Sequence, residues 1–354
     1  MNIKEVLQHI AQINAADLFI IAGRPLSYRK NEKLVCEDDK NLTPDDTRQM
    51  IDDIYELADH RSMYTLKETG DDDFSFAIPG ISRFRVNTYK QRGSFAAVIR
   101  VIAFTLPSPE EMHIPQNIIQ MGNLNKGLVL VTGPAGSGKS TTLACIIDYI
   151  NSHRAKHIIT LEDPLEYLHR HKQSIVSQRE ITTDTESYVS ALRAALRQSP
   201  DVILLGEMRD YETIQVAITA AETGHLIFST LHTIGAANTI DRIIDVFPAN
   251  QQAQIAVQLS MTLQAVISQQ FVPDVNGDLL PAFEIMTMTP ALRNMIRDNK
   301  IPQIEGALYS ASANMAGGML SMDNCLMDYC KRGLITREAA LSCATNPDML
   351  SKRI

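Results

Sequence analysis

The stretch LVLVTGPAGSGKSTT, Leu128 to Thr142, sets an apolar run against a polar one and places three glycines and a lysine between them. Gly133, Gly138, Lys139 and Ser140 fit the spacing G-x-x-x-x-G-K-[ST], and the flanks read as a strand and a helix, the context that spacing requires. The glycines let several backbone N–H groups converge on one point at the positive end of the following helix. That point suits the β-phosphate of a nucleotide. The Lys139 ammonium would reach the terminal phosphates and the Ser140 hydroxyl would face Mg²⁺. The nucleotide-binding segment is thus expected to be Gly133, Pro134, Ala135, Gly136, Ser137, Gly138, Lys139, Ser140 and Thr141, with ATP and Mg²⁺ as cofactors.

From Gly127 onward, the apolar runs LVLVT, HIITLE, DVILLGE and HLIFSTL alternate with helical stretches. Unbroken Val/Ile/Leu runs suit parallel strands covered on both faces, so a doubly wound α/β sheet is expected. Ligands of such sheets bind beyond the C-terminal strand ends. Glu162, Glu207 and His232 close three of these runs and are candidates for the chemistry. Asp201 begins its strand and falls at the wrong edge, so Glu207 is expected to take the metal-side role with Ser140. Glu162 is the candidate base for the attacking water, a role worth roughly 10²–10⁴ in rate. His232 would sense the terminal phosphate; an exposed histidine after a strand is the bland alternative. His225, at the opposite edge, is expected to be structural or to lie at a subunit contact.

Before about Ile102 the runs are shorter and turn-rich: DLFIIAG, FSFAIPG and RFRVNTYKQRGSFAAVIRVI, the last a hairpin candidate turning at Gln91-Arg92-Gly93. Pro107, Pro109 and Pro115 then suggest a semi-rigid linker. The expected organisation is an N-terminal domain over 1–104, a linker over 105–115 and a nucleotide-binding domain over 116–354, mostly helical from about 272. In the span Val246–Pro273, Ile255, Leu259, Leu263 and Ile267 read as one stripe of a soluble helix, since seven glutamines oppose a membrane span. Residues 3–10 read as an amphipathic surface helix rather than a secretory signal. A cytoplasmic location follows as an expectation.

At 354 residues the chain exceeds the usual single-domain length, which favours two domains. Hydrophobic residues at 45% and charged residues at 21% place it among folded soluble proteins rather than disordered ones. A net charge of -8 opposes a polyanion-wrapping role, so no nucleic-acid partner is expected. The five cysteines lack paired C-x-x-C spacing and are expected as free thiols.

Arg83 and Arg85 alternate with Phe84 and Val86, so both guanidinium groups should share one strand face, with Arg92 and Arg100 on the same hairpin. Surface salt bridging, an RNA-binding strand and an arginine supplied in trans to a neighbour's phosphate site all fit this pattern. The last is worth on the order of 10³–10⁵ in phosphoryl-transfer rate.

Nearly end to end, the chain resembles the PilT family of type IV pilus retraction motors among the type II/IV secretion ATPases. GPAGSGKSTT resembles the family's Walker A segment, ITLEDPLEY its Asp box, PDVILLGEMRD its atypical Walker B and GHLIFSTLHT its His box. RFRVNTYKQRG resembles its arginine-bearing N-terminal strands, and ALRNMIRDNK, with Arg293 and Arg297 on one helical face, its retraction-associated AIRNLIRE signature. The resemblance implies an α/β fold with a RecA-like P-loop ATPase domain, a smaller α+β PAS-like N-terminal domain and a helical C-terminal region. It further implies a homo-hexamer that hydrolyses ATP with Mg²⁺ at subunit interfaces, with Glu162 as base, Glu207 at the Walker B position and His232 on the γ-phosphate. Arg83 and Arg100 would be the nucleotide-contacting arginines, with Arg85 the near alternative. The implied partners are a PilC-like platform protein of the inner membrane and a second retraction ATPase, and the implied place is the cytoplasmic face of the pilus base. Pilus extension or type II secretion, an ATP-binding accessory subunit with little turnover and a nucleic-acid translocase are the competing functions. Phe19, where the family commonly has histidine, and SMDNCLMDYC depart from the family pattern at its periphery.

Overall fold

The computed structural model describes residues 2–13, 15–30, 33–102, 106–313 and 318–354. The chain divides into two compact units: Met1–Thr105 with Pro164–Leu168, and Leu106–Asp163 with His169–Ile354. The expected 104/105 boundary falls outside the described residues.

The first unit holds strands β1 (Asp17–Ile20), β2 (Pro25–Lys30), β3 (Lys33–Asn41), β4 (Asp71–Ile78), β5 (Ser82–Gln91) and β6 (Ser94–Ile102) and helices α1 (Ile3–Gln12), α2 (Pro44–Leu57) and α3 (Tyr64–Thr69). The strands form one antiparallel sheet in the order β3-β2-β1-β6-β5-β4. Ile3, Val6, Leu7 and Ile10 of α1 are buried as the helical period requires, and with α2 they cover one sheet face around Leu18, Phe84, Val86 and Ile99. The β5–β6 hairpin turns at Arg92 and Gly93, both at positive φ (47° and 81°), as a type I′ two-residue loop demands.

In the second unit, α4 (Gln116–Ile119), β7 (Gly127–Thr132), α5 (Lys139–His153), β8 (His157–Glu162), β9 (Ile175–Glu180), α6 (Tyr188–Ala195), β10 (Val202–Leu205), α7 (Tyr211–Glu222) and β11 (Leu226–Leu231) follow one another. Then come α8 (Ala236–Asp245), α9 (Ala249–Thr262), β12 (Leu263–Pro273), β13 (Leu279–Thr287), α10 (Pro290–Arg297), α11 (Pro302–Ala313), α12 (Met322–Lys331), α13 (Arg337–Cys343) and α14 (Pro347–Ser351). The sheet order is β13-β12-β7-β11-β10-β8-β9, parallel except for β13. Leu130, Leu161, Leu205 and Ile227 pack under α6–α9 on one face, while Val129, Ile158, Leu204 and Phe228 pack under α4 and α5 on the other. This is the doubly wound α/β core that the apolar runs predict.

Three expectations need correction. The helix begun at Ala249 stops at Thr262, so Leu263 and Ile267 belong to β12 rather than to a helical stripe. Leu263, Ala265, Val266 and Ile267 are all fully buried, because β12 lies inside the sheet between β7 and β13. The mainly helical part therefore starts at α10, not near 272, since β13 intervenes. Residues 106–115 form a folded turn rather than a spacer. Ser108 and Glu111 exchange side-chain-to-backbone hydrogen bonds of 3.0 and 3.1 Å, Ile114 N–H bonds Pro109 C=O at 2.8 Å, and Ile114 is buried in the second unit's core.

The α10 segment has the cap and buried side expected, with Thr289 accepting from Leu292 N–H and Leu292 and Ile296 buried. Its two arginines differ, however. Arg293 donates to Ser260, Met261 and Leu263 carbonyls at 2.6, 3.2 and 2.9 Å, whereas Arg297 is exposed and bonds Asn294 at 2.6 Å. All five cysteines are free. Among the described residues no helix is long and apolar enough to cross a membrane.

Candidate active site

The loop Gly133–Gly138 leaves β7 and enters α5. Its glycines are required by geometry at both ends. A Cβ on Gly133 (φ 140°) would stand 2.0 Å from the Gln269 carbonyl oxygen, and Gly138 (φ 86°) occupies the left-handed region at the N-cap of α5. Lys139 is buried and its Nζ donates to the Gly133 and Pro134 carbonyls at 2.9 and 2.8 Å. Ser137 is 2% exposed and its hydroxyl has no hydrogen-bond partner among the described residues. A buried hydroxyl without a partner and an ammonium resting on its own loop form a cradle that an anion would complete. The loop therefore fits a phosphate chain.

Parallel pairing brings the neighbouring strand ends to the same edge. Leu205 opposes Leu161, so Gly206 lies beside Glu162, and its N–H bonds Leu161 C=O at 2.8 Å. A Cβ on Gly206 would meet the Tyr188 hydroxyl at 2.8 Å and the Glu162 Cα at 3.4 Å. Glu207 follows, with a side chain 15% exposed that accepts from Arg209 Nε at 2.7 Å and faces His232 Nε2 at 3.4 Å. Thr230 fastens this tip to β11 through a 2.7 Å hydrogen bond to Gly206 C=O. Burial lifts the Tyr188 phenol above the ordinary tyrosine range, and Glu207, Asp163 and Glu162 lift it further. The Tyr188 hydroxyl thus lies against the Gly206 tip, near enough to the neighbouring acids to feel their charge. Sequence reasoning passed over it, because an aromatic residue opening an amphipathic helix reads as core.

The opposite edge holds the two residues set aside. Asp201 accepts from Lys156 Nζ at 2.8 Å and His157 N–H at 2.9 Å; burial works to raise its pKa, but these bonds hold it below the usual carboxylate range. His225 Nδ1 lies 3.0 Å from Ala220 C=O, a structural contact at the end of α7.

Arg83, Arg85 and Arg100 belong to the other unit. Phe84 and Val86 are fully buried, so Arg83 and Arg85 share the face away from that core. Arg100 is the direct cross-strand partner of Arg85. Arg85 pairs with Asp73 at 2.7 Å and Arg100 with Asp17 at 3.1 Å, so the salt bridges of the bland reading are present. No group of three His, Cys, Asp or Glu side chains suited to a metal occurs among the described residues.

Comparison with known proteins places these features in a lineage. The chain is 44% identical over 348 residues to the type IV pilus retraction ATPase PilT of Pseudomonas aeruginosa, covering 98% of this chain and 99% of that one. It is 49% identical over 280 residues to the twitching motility protein of Neisseria gonorrhoeae, covering 79% and 74% of the two chains. A crystal structure of the pilus retraction motor PilT with bound ADP superposes with a TM-score of 0.90 at 42% identity, over 99% of each chain. The family described as Type II/IV secretion system protein matches residues 2–317. With phosphate loop, acidic strand tips and sheet order all in place, the chain belongs to the type II/IV secretion system protein family.

Proposed function

We propose that the chain is the ATP-hydrolysing motor of type IV pilus retraction, acting as a homo-hexamer on an inner-membrane platform protein from the cytoplasmic side. The observation that carries this reading is the loop: Lys139 rests on two of its carbonyls beside the unpartnered Ser137 hydroxyl, at the sheet edge that also receives Glu162, Glu207 and His232. The similarity to proteins named for retraction and twitching supports the direction of the motor.

In this reading Lys139 leaves the Gly133 and Pro134 carbonyls for the terminal phosphates, which are stronger acceptors. The Ser140 hydroxyl and Glu207 would hold Mg²⁺, which when bound offsets the charge of the phosphates. Glu207 accepts from Arg209, whose side chain is 74% exposed, and faces His232, so to hold Mg²⁺ it would exchange the guanidinium contact for the ion. His232, which lies beside Glu207, would donate to the outermost phosphate. Glu162 takes the proton of the attacking water. Arg83 and Arg100 of a neighbouring copy would stabilise the charge that develops on the transferred group, and Arg85 is the alternative donor. Residues 1–104 would then be the arginine-donating domain and residues 116–354 the ATPase domain, with the pilus platform and a second retraction ATPase as partners.

The test is ATP turnover by the purified chain with and without Mg²⁺, and by Glu162→Gln. Turnover is expected only with the metal, and the variant is expected to fall by at least about 10². Equal turnover by the variant would remove Glu162 from the mechanism. No turnover by the wild-type chain would leave a nucleotide-binding subunit rather than a motor.

A further inference from the structure

We propose that Gln269 is a positioning residue for the nucleotide loop: it braces the loop's entry, its exit and the first turn of α5 from behind. This rests on the reading that the loop binds nucleotide. β12 runs parallel to β7 with Ser268 opposite Thr132, so Gln269 comes next to Gly133, where the loop departs from the sheet. Its carbonyl oxygen fills the place of a Gly133 Cβ. Its side chain, 3% exposed, turns the other way along the loop. There Oε1 accepts from the Thr142 hydroxyl at 2.7 Å, and Nε2 lies 2.9 Å from where a Gly138 Cβ would stand. Thr142 is fully buried in the first turn of α5, behind Lys139 and Ser140.

One residue therefore touches three points of a segment whose glycines at 133, 136 and 138 all have positive φ. Such backbone is costly to order, since glycine gives up more conformational freedom than any other residue. Convergent N–H groups bind an anion well only if they are already held in place. The Gln269–Thr142 bond supplies that restraint from the side opposite the phosphates, so Gln269 acts through the loop and not on the reacting atoms. No pattern in the sequence marks it, because a glutamine in an apolar strand has no motif of its own.

The experiment measures ADP affinity by calorimetry in Mg²⁺ buffer, with KM and kcat for ATP, for Gln269→Leu, Thr142→Val, Thr142→Ser and the Gln269→Leu/Thr142→Val pair. Each of Gln269→Leu and Thr142→Val is expected to weaken ADP about tenfold and to raise KM for ATP with kcat little changed. The double variant is expected to be no weaker than the worse single, because both remove one bond. Thr142→Ser, which keeps the hydroxyl, is expected to bind ADP within about twofold of wild type. Should Gln269→Leu fail to fold, the Val/Ser contrast at Thr142 decides alone. Full ADP affinity in Thr142→Val, or penalties that simply add, would overturn the proposal even if the melting temperature fell. A wild-type chain that ignores ADP would instead overturn the nucleotide reading and this inference with it.

Discussion

Burial takes the His169 imidazole down to about 4 from its ordinary 6.5; Lys172 assists and Asp148 opposes the shift. The native state therefore binds this proton less readily than the unfolded chain. The sign follows: stability from His169 is complete above about pH 6.5 and is lost as the pH falls toward about 4. Acidification from pH 7 to 4.5 is expected to cost the wild type about 2–3 kcal/mol through this residue, and His169→Gln to flatten that part of the profile in urea titrations. An unchanged slope in the variant would show that other groups control it. At this scale the sequence was legible where a backbone conformation allows only one residue type. Gly133 and Gly138 declare themselves by spacing, because a Cβ would strike Gln269 or strain the N-cap of α5. Tyr188 and Gln269 do not, since their importance comes from neighbours far away in the chain.

Among the elements, the C-terminus of α9 shows how a signature arginine earns a structural role. The last carbonyls of a helix lack intrahelical partners, and a cation there also meets the negative end of the helix dipole. Arg293 answers both needs with three carbonyl contacts and a 3.1 Å bond to the Gln264 side chain, and burial lowers its pKa. Arg293→Ala is expected to destabilise the chain by about 2 kcal/mol, and Arg297→Ala to stay within about 0.5 kcal/mol. Denaturant midpoints check this, and equal losses would contradict the separation of the two residues. The buried parallel strands β7, β8, β10 and β11 were readable because their apolar runs are bounded by polar residues. β12 was not: its leucine, isoleucine and glutamine spacing satisfies a helical period, and only insertion between β7 and β13 decides the matter. β9 escaped notice because its sequence, IVSQRE, is mostly polar, as an edge strand allows.

For the whole molecule, the placement of acids was legible because parallel strands deliver their C-terminal ends to one edge, whereas the destination of the hairpin arginines depends on assembly. If a ring carries Arg83 and Arg100 to the next subunit's phosphate loop, two inactive chains should rescue each other. Lys139→Ala copies mixed with Arg83→Ala/Arg100→Ala copies are expected to regain ATP turnover, since some interfaces then join an intact loop to intact arginines. Mixtures as inactive as their components would remove Arg83 and Arg100 from the neighbour's site and leave Arg100 to its salt bridge with Asp17. The motor's direction is tested most directly in cells lacking the gene, complemented with wild type or Glu162→Gln, by scoring surface pili and twitching together. Retraction predicts heavily piliated, immobile cells that wild type but not Glu162→Gln restores to movement; cells stripped of pili would contradict it.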